Sequence, residues 1–174
     1  MKKLILTALI AASFSVAVQA APPASGSPGT IRFEGEIVTG ACGIDSDSLD
    51  QTVSLGQVPT HMFKAIGDRS TAVPFEIVLT DCDTTTSKNA TVTFTGTGHE
   101  EKSTILGVTG AAQHVGIRLQ GGSNEYLDLG TVSQPTLLSN GDNHLKFSAM
   151  YESTAANVTA GDADSTAQFT VNYL

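Results

Sequence analysis

In the segment 31–38, apolar and polar residues alternate as far as Ile37. Ile31, Phe33, Gly35 and Ile37 fall on one face of this segment, and charged residues occupy the positions between them. Successive side chains of a strand point to opposite faces, so the alternation predicts a half-buried β-strand. Gly35 is unusual there, because a glycine inside a strand weakens it and often marks the close approach of another backbone.

Short apolar or alternating segments recur along the rest of the chain, separated by turns rich in glycine, asparagine, aspartate and serine. Pro74 lies inside one of them, which predicts a sheet edge or a bulge at that point. One helical turn is expected near residues 62–66. About nine or ten short strands, with turns every eight to twelve residues, are typical of an antiparallel β-sandwich. After the first strand, the predicted strands are 52–55, 72–80, 90–95, 105–108, 115–119, 126–129, 145–151 and 167–174.

The two ends of the chain differ in a way that bears on assembly. The strand at 31–38 follows a leader, residues 21–30, whose three prolines and two glycines predict flexibility. The last predicted strand alternates up to the final residues and is expected to lie inside the sheet. A chain with a free strand at one end and a need for a partner at the other can polymerise by strand addition.

The first twenty residues have the pattern of a secretory signal peptide. A basic start is followed by a mostly apolar stretch, 4–18, and Val18 and Ala20 supply the small residues of a cleavage site. The alternative, a transmembrane anchor, needs a longer apolar run. Cleavage after Ala20 removes two lysines and takes the formal charge from −8 to −10.

Export determines the oxidation state that we expect for the two cysteines. Cys42 and Cys82 would meet an oxidising compartment, where they are expected to pair. The disulfide would close a loop with 39 residues inside it, for which the chain-entropy model gives roughly 4 kcal/mol of stabilisation. Two free thiols or a catalytic cysteine are the alternatives. No histidine or other activating group lies near either cysteine in sequence, which disfavours a reactive thiol.

Composition narrows the class of protein. The 174 residues suit one domain, and the lack of tryptophan, with 6% aromatic residues, predicts an aliphatic core. Serine, threonine and glycine together number 55, which favours strands and turns over helices. A formal charge of −8 repels phosphate, so nucleic acid is not expected as a partner.

Motifs for catalysis and for metal binding are missing from the sequence. The four histidines show no close ligand spacing, so a metal site would require them to converge in space. Neither a G-x-S-x-G elbow nor a glycine-rich phosphate loop followed by lysine occurs. We therefore predict no enzyme activity, no catalytic residue, no metal ligand and no cofactor.

Several motifs follow one another in a fixed order. The signal peptide and the alternating segment with its glycine come first, and residues 40–42 (GAC), 50–58 (DQTVSLGQV) and 79–83 (LTDCD) come next. Gly161, fourteenth from the C-terminus, and a penultimate tyrosine, Tyr173, complete the series. Together they resemble the structural subunits of bacterial chaperone–usher fimbriae, and among these the major subunits of type 1 fimbriae. The resemblance covers essentially the whole chain.

The resemblance implies an all-β fold, an incomplete immunoglobulin-like β-sandwich (the pilin fold) that lacks its last strand. It implies a signal peptide (1–20), a flexible leader with an N-terminal donor strand (21–38) and a pilin domain (39–174). The missing strand would leave a hydrophobic groove beside the C-terminal strand. A periplasmic chaperone would fill this groove first, and the donor strand of the next subunit would replace the chaperone at the outer-membrane usher.

The resemblance also implies roles for individual residues. Three apolar donor residues would enter pockets of the groove, and Gly35 would fit where no side chain has room. Inward-facing residues of the C-terminal strand would form the groove and contact the chaperone. The implied site residues are Ile31, Phe33, Gly35 and Ile37 in the donor strand, and Gly161, Phe169, Val171 and Tyr173 at the groove.

The implied function is that of a structural, non-enzymatic shaft subunit (major pilin) of a bacterial fimbria that supports cell adhesion. It would cross the periplasm and end in the extracellular surface fimbrium, without being embedded in a membrane. Its partners would be identical or related subunits, the chaperone and the usher. A minor adaptor subunit is the first alternative, because it has the same layout. An independent secreted β-sandwich binding module is the second, and it would be stable without a chaperone.

Overall fold

The computed structural model describes residues 29–174. The predicted signal peptide and most of the leader therefore lie outside the described residues. The chain divides into two parts between Glu36 and Ile37.

The described residues before this division, 29–36, form no helix or strand. Ile31 and Phe33 are 76% and 88% exposed. The half-buried strand predicted over 31–38 is thus not formed in the single chain. Alternation supplies one apolar face, but a lone strand has neither a ladder partner nor a surface on which to bury that face.

The domain, residues 37–174, consists of two antiparallel sheets. The first has the strand order β1-β2-β8-β5-β4, with β6 paired to the other end of β5, and the second has the order β7-β3-β9. One helical turn, α1 (Ser46–Leu49), and one 3₁₀ turn (Thr60–Met62) lie in the connection between β1 and β2. The nine strands are β1 (Gly43–Ile44), β2 (Val73–Cys82), β3 (Asn89–Gly96), β4 (Leu106–Gly107), β5 (Val115–Gly121), β6 (Tyr126–Leu127), β7 (Thr136–Leu137), β8 (Gly141–Ser153) and β9 (Ala167–Tyr173).

Most predicted strands are present, and the differences have local causes. The strand predicted over 52–55 is not formed, because no neighbouring strand pairs with this extended segment. The helical turn lies at Thr60–Met62, slightly before its predicted position. Pro74 lies in the half of β2 that pairs only with β8, since β1 pairs with Leu79 and Thr80 alone. The edge position expected for this proline is therefore confirmed.

The core lies between the inner faces of the two sheets. Its fully buried aliphatic side chains include Ile77, Leu79, Leu145 and Val92. The composition predicted an aliphatic core, but phenylalanines also contribute. Their rings form an edge-packed group, in which the centroids of Phe94 and Phe147 are 5.0 Å apart. Such contacts add about 0.5–1.5 kcal/mol per pair beyond the burial of apolar area.

Cys42 and Cys82 form a disulfide, as predicted. The bond joins the chain just before β1 to the end of β2. The hydroxyl of Tyr173, near the end of β9, donates a hydrogen bond to the carbonyl oxygen of Cys42 at 3.2 Å. The disulfide thus lies where the two sheets are tied together, and neither cysteine is a free thiol.

A group of charged side chains lies on the outer face of the first sheet. Glu152 of β8 is completely buried. Its carboxylate accepts hydrogen bonds from Arg69 Nε at 2.5 Å, from Lys102 Nζ at 2.5 Å and from Arg118 Nε at 3.3 Å. Arg118 also pairs with Asp128 at 2.6 Å. We call Glu152, Arg69, Lys102 and Arg118 the Glu152 cluster.

The cations of this cluster keep Glu152 ionised. Burial alone would raise the pKa of the Glu152 carboxyl, because it disfavours the charged form. The hydrogen bonds from the lysine and the two arginines outweigh burial and lower this pKa from 4.5 to about 2. A carboxyl with a lower pKa in the folded than in the unfolded state stabilises the fold above its unfolded pKa.

We predict that this contribution disappears on acidification. The free energy of unfolding of the wild-type chain should exceed that of the Glu152→Gln variant near neutral pH. The difference should shrink between pH 4.5 and about pH 2, because the unfolded state binds the proton first in that range. Thermal unfolding followed by circular dichroism at a series of pH values measures both curves. A difference that stays constant down to pH 2 would contradict the assignment.

Candidate functional site

The second sheet ends at a strand with a free edge. β9 pairs along its length with β3, and no other strand of the described residues pairs with it. On the opposite side, the first sheet ends at the two-residue β1, followed by a segment without ladder partners, 50–56. An open groove of about 1180 Å³ lies between this segment and β9.

The floor of the groove is apolar and belongs to the core itself. Side chains of the first sheet reach it mainly from β2, β8 and β5, with Ile44 of β1 and Leu106 of β4 at the margins, and an aromatic pair from the second sheet closes one side. Many of these side chains also belong to the main core cluster, so the groove opens the core along one edge. The floor and side residues are Phe75, Ile77, Ile117, Leu119, Ala149 and Tyr151 of the first sheet, and Phe94 and Phe169 of the second.

Of the residues predicted for the C-terminal strand, Phe169 lines the groove directly. Its ring centroid lies 6.5 Å from that of Phe94. Val171 and Tyr173 lie further along β9 on the same inward face, where they pack against the core. Burial raises the pKa of the Tyr173 hydroxyl, which keeps it a hydrogen-bond donor. The inward alternation predicted for β9 is therefore present.

Gly161 lies in the loop before β9 rather than in a strand. It lines a smaller cavity of about 350 Å³ that shares Tyr151 and Ala163 with the groove. A Cβ atom at Gly161 would lie 2.4 Å from the backbone nitrogen of Ala112 and 2.5 Å from the carbonyl carbon of Ala111. The glycine is required because this loop packs directly against another backbone.

Tyr151 is a groove residue that the sequence did not single out. Its hydroxyl donates to the carbonyl oxygen of Ala163 at 3.0 Å, which joins the floor of the groove to the chain entering β9. Burial and the nearby carboxylate of Asp164 raise the pKa of this hydroxyl, so it remains protonated. Alternation along β8 did place Tyr151 on the inner face, but nothing local indicated its partner.

The four residues predicted as donor residues are exposed. Ile37, in the domain, is 100% exposed. Gly35, before it, has no atom within 4 Å of the position of a Cβ. Exposed apolar side chains on one face of a segment are unfavourable in water, and they indicate a binding surface when they cluster.

Within residues 29–174, no three histidine, cysteine, aspartate or glutamate side chains lie close enough together to hold a metal ion. No helix among these residues is long and apolar enough to cross a membrane. The groove is thus the principal candidate site.

Comparison with known proteins agrees with this geometry. A family model described as "Fimbrial protein" matches residues 31–174. The "Probable major fimbrial subunit LpfA" of Escherichia coli O157:H7 is 43% identical over 178 residues, covering 99% of this chain and 97% of that protein. The "Type-1 fimbrial protein, A chain" of Salmonella typhi is 41% identical over 184 residues, covering 99% of this chain and 100% of that protein.

Solved structures show the same fold. A subunit from a structure of a chaperone–usher pilus, described in connection with rod uncoiling, has a TM-score of 0.76 and 27% identity. The match covers 88% of this chain and 100% of that subunit. The rod subunit PapA of the P pilus has a TM-score of 0.66 at 24% identity, covering 78% of this chain and 100% of PapA.

These comparisons establish the class of protein: an incomplete immunoglobulin-like sandwich of the pilin type. The chain belongs to the fimbrial protein family, whose members are non-enzymatic structural subunits of extracellular surface fimbriae.

The packing of Gly161 gives a prediction about stability. Gly161→Ala should destabilise the domain by about 1–3 kcal/mol, because the added methyl group overlaps the backbone of the loop at Ala111 and Ala112. Gly29→Ala is the matched control, since it adds the same methyl group outside the predicted donor strand, where nothing lies within 4 Å. Chemical denaturation of both full-length variants measures the difference. Equal stabilities would show that the loop contact is not required.

Proposed function

We propose that this protein is the shaft subunit of a fimbria and that it polymerises by donor-strand exchange. In this mechanism residues 31–37 of one copy occupy the groove of the next copy. The observation that carries the proposal is the open apolar groove beside the free edge of β9, in a chain that also presents an exposed alternating segment. The names of the relatives, a probable major fimbrial subunit and a rod subunit, support a place in the shaft.

The alternating segment has the chemistry that the groove requires. Burial of Ile31, Phe33 and Ile37 would contribute about 1.5–3 kcal/mol each. Backbone hydrogen bonds to the free edge of β9 would add roughly 0.5–1.5 kcal/mol each. The total is on the order of 10 kcal/mol before the entropic cost of ordering the segment. A contact of this size makes a durable fibre, because the strand must leave the groove before a subunit can dissociate.

The remaining positions of the segment also fit a strand added at a sheet edge. Arg32 and Glu34 alternate with the apolar residues along the sequence, and in the single chain Arg32 Nη1 lies 3.5 Å from Glu34 Oε1. They would stay in solvent when the apolar face is buried. Gly35 would lie where the groove has least room, so that the donor backbone can approach the floor closely.

The open groove also accounts for a need for helper proteins during export. A free strand edge above an exposed apolar floor is a site of aggregation unless it is covered. We infer that a periplasmic chaperone pairs with β9, at Phe169, Val171 and Tyr173, until an outer-membrane usher exchanges it for the donor segment. One structural relative comes from a pilus described as a chaperone–usher pilus, which supports this route.

A charge on the apolar face of the donor segment should abolish assembly. We predict that Phe33→Asp gives chaperone-bound monomer but no fibres, because a carboxylate cannot be buried unpaired in the groove. Arg32→Asp is the matched control, since it introduces the same residue on the opposite face and should still assemble. Electron microscopy detects the fibres. Electrophoresis of unboiled surface extracts should show a ladder of multiples for the control and no ladder for Phe33→Asp.

Normal fibres from Phe33→Asp would contradict the donor assignment. A mature domain that accumulates as a stable monomer in a periplasm without the chaperone would contradict the polymerising function as a whole. It would instead favour an independent secreted module.

A further inference from the structure

The Glu152 cluster lies directly behind the floor of the groove. Successive residues of a strand point to opposite faces. In β8, Tyr151 points into the groove while Glu152 points to the outer face, where it is completely buried. In β5, Arg118 points outward between Ile117 and Leu119, both of which line the groove. Groove residues and cluster residues therefore alternate along the same two strands.

The register of β5 and β8 places groove residues of one strand directly opposite groove residues of the other. Ile117 pairs with Tyr151, and Leu119 pairs with Ala149. All four of these side chains line the groove. On the opposite face, the bonds from Arg118 to Glu152 cross between the same strands. A shift of β5 relative to β8 would therefore move the floor residues apart and, at the same time, break the bonds between Arg118 and Glu152.

The other two cations, Arg69 and Lys102, lie on segments distant in sequence that pack against β8. Arg69 lies before β2 and forms an isolated β-bridge with Glu152. Its neighbour Ser70 exchanges two hydrogen bonds with the backbone of Tyr151, both at 3.0 Å. Lys102 comes from the connection between β3 and β4. One carboxylate therefore holds three segments against the back of the floor.

We propose that Glu152 is a positioning residue for the donor strand: by holding Arg69, Lys102 and Arg118 behind β5 and β8, it sets the spacing of the floor residues that the donor side chains contact. This inference rests on the proposed function. An empty groove leaves the inner face of the first sheet without support along one edge. The cluster supplies that support from the outer face.

Removal of the negative charge of Glu152 should change the positions of the groove residues. In Glu152→Gln the three cations would face a neutral amide and repel one another, and partial loss of a buried ion pair is strongly unfavourable. The segments that carry them would then separate from β8. Tyr151 and Ile117 would lose their fixed positions, and the groove would fit the donor side chains less closely.

A double-mutant cycle on assembled full-length fibres tests the inference. Glu152→Gln is combined in turn with Ile31→Ala, Phe33→Ala and Ile37→Ala, so that every interface carries both changes. The readout is the rate at which subunits dissociate in warm detergent, followed by unboiled electrophoresis. Glu76→Gln is the matched control, because the carboxylate of Glu76 pairs with the exposed His144 on β8, outside the Glu152 cluster.

Each donor substitution should increase the dissociation rate of wild-type fibres. For at least one of them, we expect this increase to be about fivefold smaller in the Glu152→Gln background, since coupled residues have non-additive effects. The same substitution should be additive with Glu76→Gln. Additivity within twofold at all three donor positions would overturn the inference and leave Glu152 with a general stabilising role. If Glu152→Gln does not assemble, Lys102→Met, which keeps both arginines, takes its place in the same cycle.

Failure of the proposed function would appear differently. If all three donor substitutions left dissociation unchanged in the wild-type background, residues 31–37 would not be the donor strand, and the inference about Glu152 would fall with them.

Discussion

The free edge of β9 faces a groove whose floor is the core of the domain, and the rest of the structure is organised around this edge. A sandwich normally covers such an edge with another strand, because unpaired backbone groups and exposed apolar side chains are both unfavourable. Here no strand of the described residues pairs with the free edge of β9, and the segment 50–56 lines the other side of the groove without a ladder partner. The domain therefore presents an opening with the shape and chemistry of one missing strand.

Several local features keep this opening in shape. The disulfide between Cys42 and Cys82, with the hydroxyl of Tyr173 on the carbonyl of Cys42, ties the end of β9 to the first sheet. Near the start of β9, Tyr151 bonds to the carbonyl of Ala163 and performs a similar role. Behind the floor, Glu152 holds three cations. The opening is thus supported at both ends and from behind.

Alternation alone predicted most of the strands and the sandwich class, because the period of two depends only on neighbouring residues. Alternation gave wrong strands where a partner strand is missing. Residues 52–55 form no strand, and residues 31–38 are exposed in the single chain. The motif ending in Gly161 and Tyr173 indicated the groove strand, but not that Gly161 packs on another loop. Glu152 was beyond sequence reasoning, since its cationic partners lie 83, 50 and 34 residues away.

Donor-strand exchange requires that the groove of each subunit in the fibre is filled by residues 31–37 of another subunit. A cryo-electron microscopy map of the native fibre tests it most directly, because side-chain density identifies the occupant of the groove. We predict a strand beside β9 whose density fits Ile31, Phe33 and Ile37 facing the floor and Gly35 without a side chain, continuous with a neighbouring subunit. A groove that is empty, or filled by a segment of its own subunit, would rule out donor-strand exchange between subunits.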